Sequence, residues 1–206
     1  MACDRKTIMY IFGFNPMYQN FINHLRKYIS LDNNEVELLL SSVKPLVFNK
    51  KDYLIKEGQV CKANYFVEQG LLRMFFINNK GIEQTTQFAL ENWWIADYMS
   101  LTNQSNSHFY IQAVEASTII AVEHHKQEQL LKQLPQLERY FMLMMQRAYA
   151  AAQMRVKYFH VYSKEENYRQ FVSLFPDFVQ RIPQYMLASY LGLTPEYVSE
   201  LRKKQT

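Results

Sequence analysis

The C-terminal segment carries residue types that are typical of two short helices joined by a tight turn. Ala188 is small enough for a second helix to cross it closely, and Gly192 can adopt the left-handed conformation that turns the chain. Thr194 and Pro195 are typical of the N-cap and first position of a new helix. The expected shared core consists of Leu187, Leu191, Leu193, Val198 and Leu201. These offsets predict a helix-turn-helix, which binds DNA through its second helix.

The second helix would meet DNA with its outward side chains. The expected base readers near its N-terminus are Pro195, Glu196, Ser199 and Glu200. Glu196 can accept a hydrogen bond from a cytosine amino group. The expected phosphate contacts are Thr194, Tyr197, Arg202, Lys203 and Lys204. Because two acidic residues share this face, we expect modest affinity that depends steeply on salt. The alternative is an ordinary pair of packed helices, which needs the same core.

Residue types used by enzymes are present without the spacing that enzymes need. The 5 glycines stand at least 11 positions apart, which excludes a phosphate-binding loop and a nucleophile elbow. No cupin-type HxH motif occurs, and the adjacent His124 and His125 point in different directions on a strand or helix. Cys3 and Cys61 form neither a metal-ligand pair nor a disulfide framework. We therefore expect no catalytic residue, metal or cofactor, with a cupin-like metalloenzyme as a distant alternative.

The composition is typical of a folded protein with a buried core. The chain of 206 residues is 49% hydrophobic and 20% charged, and its formal net charge is +4. A charge this small permits a polyanion partner only at a local basic site. No apolar run approaches the roughly 18 residues of a membrane-spanning helix. We expect a cytoplasmic protein with no membrane partner.

Before the helix-turn-helix, the residue pattern changes from helix to strand and back. Residues 1–16 are expected to form an extension, and either Met1 or Met17 could start translation. Helical spacing over 17–42 predicts two short helices, with Asp32 and Glu35 as a capping box. Short β-favouring runs up to residue 124, separated by turn glycines, predict a small roll or barrel. The expected strands are 46–48, 53–55, 65–67, 72–77, 84–88, 109–114 and 118–122.

Residues 125–162 carry helical spacing, including a long stretch from residue 136 without glycine or proline. Spacings of four and three place one set of residues on a single seam of this helix: Leu137, Phe141, Met144, Ala148 and Ala151. Such a seam predicts either a dimer interface or packing on the helix's own domain. Ser163 and Glu166 then form a second capping box.

The order of these elements resembles the Crp/Fnr family from about residue 31 onwards. The segments Tyr53–Gly58, Tyr65–Arg73 and Asn79–Gly81 look like the family's β-roll signature of spaced turn glycines. The resemblance implies an α+β fold with an N-terminal double-stranded β-helix, of the jelly-roll-like cyclic-nucleotide-binding type, over residues 17–124. A dimerisation helix within 125–162 and a helix-turn-helix domain over 163–206 would complete it.

The same resemblance implies a homodimeric transcription regulator that reads a palindromic operator, with RNA polymerase as a further candidate partner. An effector-binding or protein-interaction module of this fold that no longer reads DNA is the alternative. The sequence ends at Thr206, directly after the second helix of the motif, whereas better-known members continue into a wing hairpin. We expect this ending to weaken DNA binding.

The sequence departs from the family at the effector site. Cyclic-nucleotide-binding members hold the ribose and phosphate with a Gly-Glu pair and an Arg, which are absent from 92–97 and 107–110 here. A phosphate buried without that cradle would be poorly solvated, so we expect a small-molecule effector other than cyclic AMP. The candidate pocket, unless these residues only fill the roll, is Trp93, Trp94, Tyr98, Phe109 and Tyr110. The cysteines of an iron-sulfur relative are also missing.

Overall fold

The computed structural model describes residues 16–204. A 3-10 turn, Pro16–Tyr18, leads into helices α1, Gln19–Arg26, and α2, Asn33–Ser42. The capping box of α2 is confirmed, since the Glu35 amide donates to Asp32 at 2.8 Å and the Asp32 amide donates to Glu35 at 2.9 Å. Most of the expected extension, including Met1, lies outside the described residues, and the start of translation stays open.

The strands form two four-stranded sheets, with the orders β1-β8-β3-β6 and β2-β7-β4-β5. Their bounds are β1 Lys44–Phe48, β2 Tyr53–Ile55, β3 Ala63–Gln69, β4 Leu72–Ile77, β5 Glu83–Ala89, β6 Trp94–Ile95, β7 Tyr110–Ala113 and β8 Ser117–Glu123. The expected strands are confirmed to within two residues at each end. The sequence pattern missed β6 and the short helix α3, Tyr98–Asn103, because neither is long enough to show a period.

After β8, the described secondary-structure elements are all helices. They are α4 His124–Gln133, α5 Gln136–Val161, α6 Lys164–Leu174, α7 Pro176–Arg181, α8 Gln184–Leu191 and α9 Pro195–Lys203. The second capping box, of Ser163 and Glu166, is confirmed at the start of α6. Pro176, expected only to end a helix, also begins the next one, because its missing N–H is not needed at the first helical position.

The chain packs as two compact units. The first extends to Met74 and resumes over Phe88–Met142, and the second consists of Phe75–Gln87 together with the chain from Leu143 onwards. The tip of the β4–β5 hairpin therefore groups with the C-terminal helices. The expected domain limits follow the changes of secondary structure instead, which occur at Glu123 and Val161.

The roll has an apolar, mainly aliphatic interior. β3 pairs antiparallel with β8, and alternation along β3 turns Tyr65 and Val67 inward and Phe66 outward. The buried interior side chains are Ile55, Cys61, Ala63, Tyr65, Val67, Leu72, Ala89, Ile95, Ala96, Leu101, Ile111, Ala113, Ile119 and Ala121. Polar groups lie at its ends, where buried Asp97 caps α3 and accepts from Ser107 Oγ at 2.7 Å.

Candidate nucleic-acid interface

The turn between α8 and α9 has the geometry that the sequence predicts. Gly192 is in the left-handed region with φ of +67°, and the Leu193 amide donates to the Ala188 carbonyl at 2.8 Å. A β-carbon is disfavoured at that φ, which explains the glycine. Ala188 is fully buried, and of the expected core residues only Leu193 is half-buried rather than buried. The helix-turn-helix is confirmed as a structural element.

The second helix of the motif begins as expected. Thr194 Oγ1 accepts from the Tyr197 amide at 3.2 Å, and Pro195 takes the first helical position. The Gln184 side chain, at the start of α8, donates from Nε2 to the Pro195 carbonyl at 2.9 Å. This bond joins the N-termini of the two helices and helps to fix their crossing.

The expected DNA-contacting residues lie on the outer surface of α9. Tyr197 and Ser199 are half-buried, and the exposed members are Thr194, Pro195, Glu196, Glu200, Arg202, Lys203 and Lys204. The basic residues lie in the last turn, where they also interact favourably with the helix dipole. Their side chains are accessible, and their contact with DNA stays a prediction.

Lys164 is a candidate contact that the sequence pattern missed. It lines a shallow hollow with Gly192, Leu193, Thr194 and Tyr197, beside the N-terminus of α9. A lysine next to a helix N-terminus favours a phosphate, because both carry positive potential. Lys164 belongs to α6, so no local spacing connects it with the motif.

Trp94 of the expected effector pocket faces away from the roll interior. Alternation in β6 turns Ile95 inward and Trp94 outward, where its Nε1 donates to Tyr140 Oη of α5 at 2.8 Å. The Trp94 ring packs against Phe66 at 5.3 Å and Phe141 at 5.3 Å between centroids. His24 Nδ1 of α1 lies 2.8 Å from the same Tyr140 oxygen. Burial raises the pKa of the Tyr140 hydroxyl, so this group stays neutral.

The other four residues of the expected pocket have separate surroundings. Trp93 is 50% exposed and Phe109 is half-buried. Tyr98 Oη donates to Asn64 Oδ1 at 3.4 Å, and burial raises its pKa to about 12. Tyr110 Oη donates to Glu57 at 3.3 Å. Trp94 therefore does not point into the roll as the prediction assumed, and an effector site that includes the other residues stays a prediction.

The residues of the predicted α5 seam divide between its two alternatives, packing on the helix's own domain and a dimer interface. Leu137 is 1% exposed and Met144 is buried, so neither is available to a second copy. Phe141 is half-buried, whereas Ala148 and Ala151 are exposed. An exposed stripe with alternating spacings of three and four runs one residue further along, through Met142, Met145, Tyr149, Ala152, Val156 and Phe159. We call these six residues the α5 stripe.

Two further searches concern other classes of site. In the part of the chain that the structure describes, no three His, Cys, Asp or Glu side chains are placed to hold a metal ion. Cys61 is a free, buried thiol whose pKa is raised by burial. No helix within residues 16–204 combines the length and the apolar character needed to cross a membrane.

Comparison with known proteins finds a domain model and relatives that are similar to this chain. Residues 45–134 match the cyclic nucleotide-binding domain model. The transcriptional activator protein Anr of Pseudomonas aeruginosa is 26% identical over 183 residues, which are 82% of this chain and 72% of that protein. The fumarate and nitrate reduction regulatory protein of Vibrio cholerae is 24% identical, over 82% of this chain and 70% of that protein.

The fold comparison agrees with these sequence matches. A crystal structure from Eubacterium rectale, described as a transcriptional regulator of the Crp/Fnr family, superposes with a TM-score of 0.66 at 14% identity. The superposition covers 84% of this chain and 83% of that one. These relatives are transcription regulators and not enzymes. The matched roll, the helix-turn-helix and sequence matches that cover 82% of the chain make it similar to transcription regulators of the Crp/Fnr family.

Proposed function

We propose that this chain is a sequence-specific DNA-binding transcription regulator that acts as a homodimer. The observation that carries the proposal is α9: its core side is closed by buried Val198 and Leu201, and its outer side is accessible and ends in basic residues. A helix of this kind, held by a tight turn and a first helix, fits the major groove. Lys164 and the N-terminus of α9 would add a phosphate contact.

The surface of α5 supports the homodimer. Every residue from Met145 to Met154 is exposed within the single chain. The segment includes a large aromatic side chain, Tyr149, which is 67% exposed. Apolar side chains lie around the whole circumference of the helix in this segment, and a partner is needed to cover them. The spacing of the α5 stripe is that of a two-stranded coiled coil, and a second copy of the same helix would match it. Two copies would present two α9 helices to a palindromic operator.

The filled roll supports an effector other than cyclic AMP. Its interior is apolar and mainly aliphatic, and the family's Gly-Glu pair and Arg are absent from the corresponding segments. A buried cyclic phosphate would find no charged partner there. The identity of an effector is left open, and RNA polymerase is proposed as a protein partner only through the family. Because a regulator acts where the DNA is, the proposal includes a cytoplasmic location.

DNA selection tests this proposal directly. The full chain is incubated at low salt with a randomised duplex library, and the bound DNA is sequenced. We expect an enriched palindromic site. If no site is enriched, the protein-interaction module becomes the better interpretation.

Two substitutions then separate base reading from phosphate contact on the selected site. Lys203→Glu should weaken binding to every sequence and lower the slope of log affinity against log salt by about 1. Glu196→Ala should instead change preference at one position of each half-site by about 1–3 kcal/mol. Fluorescence anisotropy across single-base variants measures both. Equal losses on all variants for both substitutions would contradict the assigned roles.

A further inference from the structure

The tip of the β4–β5 hairpin contacts the first helix of the helix-turn-helix inside the second compact unit. β5 lies at the end of its sheet, so one of its sides has no neighbouring strand. Ser189 of α8 donates from Oγ to the Glu83 carbonyl at 2.8 Å and accepts from the Thr85 amide at 2.8 Å. One hydroxyl thus bonds a carbonyl and an amide two residues apart, as a neighbouring strand would.

Arg155 of α5 reinforces this contact from a third element. Its guanidinium donates to the Thr86 carbonyl on β5 and, from Nη2, to the Tyr190 carbonyl on α8 at 3.1 Å. The same group lies over the Tyr190 ring, 4.1 Å from its centroid. Tyr190 is in the last turn of α8, where carbonyls lack intrahelical partners and a cation is favourable.

These contacts surround the residues that set the angle of α9. Ser189 and Tyr190 immediately precede Gly192, whose left-handed conformation turns the chain into α9. Arg155 is half-buried and directed at main-chain groups, so it is not placed as a phosphate contact. Only a planar, multidentate donor can bond two separate carbonyls and stack on a ring at the same time.

We propose that Arg155 is a positioning residue for DNA binding: together with Ser189 it fastens the end of α8 to the β4–β5 hairpin and thereby holds α9 at the angle that fits the groove. The inference rests on the proposed DNA-binding function. It also assigns the hairpin a role, since β5 continues into the roll and a shift of this strand would reach α8 directly.

Arg155→Lys tests the proposal, because it keeps the charge and removes the planar fork. Arg139→Lys, at an exposed position of the same helix outside the 145–154 segment, is the matched control. We expect Arg155→Lys to weaken binding to the selected duplex roughly tenfold. The salt slope should stay at the wild-type value, because no phosphate contact is lost. Hydrogen exchange should become faster in peptides covering residues 83–87, while the control changes neither quantity.

Other outcomes each overturn the proposal in a recognisable way. A salt slope lowered by about 1 would make Arg155 a phosphate contact. Unchanged exchange over 83–87 would show that the hairpin is not fastened, and unchanged or tighter DNA binding would show that fastening does not position α9. Ser189→Ala should repeat the faster exchange without any change of charge. If the wild-type chain enriches no DNA, the proposed function fails, whereas the exchange measurement still reports on the fastening.

Discussion

The two halves of helix α5 have the same apolar character and opposite surroundings. In the first half, Leu137 and Tyr140 are buried and Tyr140 Oη receives the Trp94 N–H. In the second half, the segment 145–154 is exposed on every side. Both halves carry methionine and aromatic residues at helical spacing. Composition alone therefore cannot distinguish a helix that packs on its own chain from one that packs against a partner.

The difference teaches which contacts stabilise the chain and which would stabilise an assembly. The first half is anchored by α1 and the outer face of β3 and β6, through Phe66, Trp94 and Tyr140. The second half has no such cover within its own chain over 145–154. Substitutions in the first half should therefore change the free energy of unfolding of the chain, and those in the second half should change the dissociation of the dimer.

The largest effect is expected from Ala152→Glu, which places a carboxylate in the α5 stripe. In the proposed dimer two such charges would be buried against each other, at a cost of about 3–5 kcal/mol. The dimer dissociation constant should rise roughly 100-fold or more. Analytical ultracentrifugation over a concentration series measures this directly.

Ala151→Glu is the matched control, since the neighbouring position lies about 100° around the helix. It belongs to the seam that the sequence predicted, and it is as exposed as Ala152 in the single chain. We expect no change in dissociation. If Ala151→Glu separates the subunits and Ala152→Glu does not, the sequence-derived seam is correct and the stripe is wrong.

Leu137→Ala should act on the first half with the opposite readout. Leu137 is buried in its own chain, and truncation of a buried leucine lowers the free energy of unfolding by about 2–5 kcal/mol. Urea unfolding measures the loss. The dimer dissociation constant, measured where the variant is fully folded, should stay unchanged. A large rise in that constant with little loss of stability would return Leu137 to the interface.

Much of the fold was readable from the sequence because local chemistry fixes it. The capping boxes at Asp32 and Ser163 and the turn at Gly192 depend on a few neighbouring residues, and all of them form as expected. Strand bounds followed from turn glycines and β-favouring runs. The pattern failed at Trp94–Ile95, a strand of two residues that only its neighbours define.

The sites were less predictable because they depend on which side of its strand or helix a residue occupies, and on partners that are distant in the sequence. A one-residue change of phase decides whether Trp94 enters the roll or the cluster around Tyr140. The residues of a dimer seam on α5 stay a prediction for the same reason, since several phases of an alanine- and methionine-rich helix look equally apolar. Lys164 and Arg155 were missed because their partners lie on other elements.

Tyr140→Phe tests how much the buried hydrogen bonds stabilise the first half of α5, and the substitution makes no cavity. The substitution removes the acceptor of the Trp94 N–H and the hydroxyl beside His24, so we expect a loss of about 1–2 kcal/mol in unfolding free energy. Tyr185→Phe, at an exposed position, is the control and should change stability by less than about 0.5 kcal/mol. Equal effects of the two substitutions would show that the buried hydrogen bonds contribute nothing.

The smallest effect concerns Glu68 of β3, which holds α1 against that strand. Its carboxylate accepts from the Asn20 and Phe21 amides at 2.7 and 2.8 Å, yet burial outweighs these bonds and raises its pKa. A raised carboxyl pKa means that the folded state binds the proton more tightly than the unfolded state. Glu68 should therefore add stability below its folded pKa, and this contribution is lost as pH rises through that value.

Glu68→Gln removes this pH dependence and one acceptor, so at neutral pH we expect a change of less than about 1 kcal/mol. Between neutral pH and the ordinary carboxyl pKa of 4.5, the wild type should gain stability relative to the variant as the pH falls. Urea unfolding at a series of pH values measures the difference, with Glu37→Gln, at an exposed position, as the control for net charge. The opposite result would be a loss of stability of the wild type relative to the variant on acidification. It would show that the amides and dipole of α1 outweigh burial, and that Glu68 stabilises the contact with α1 as an anion.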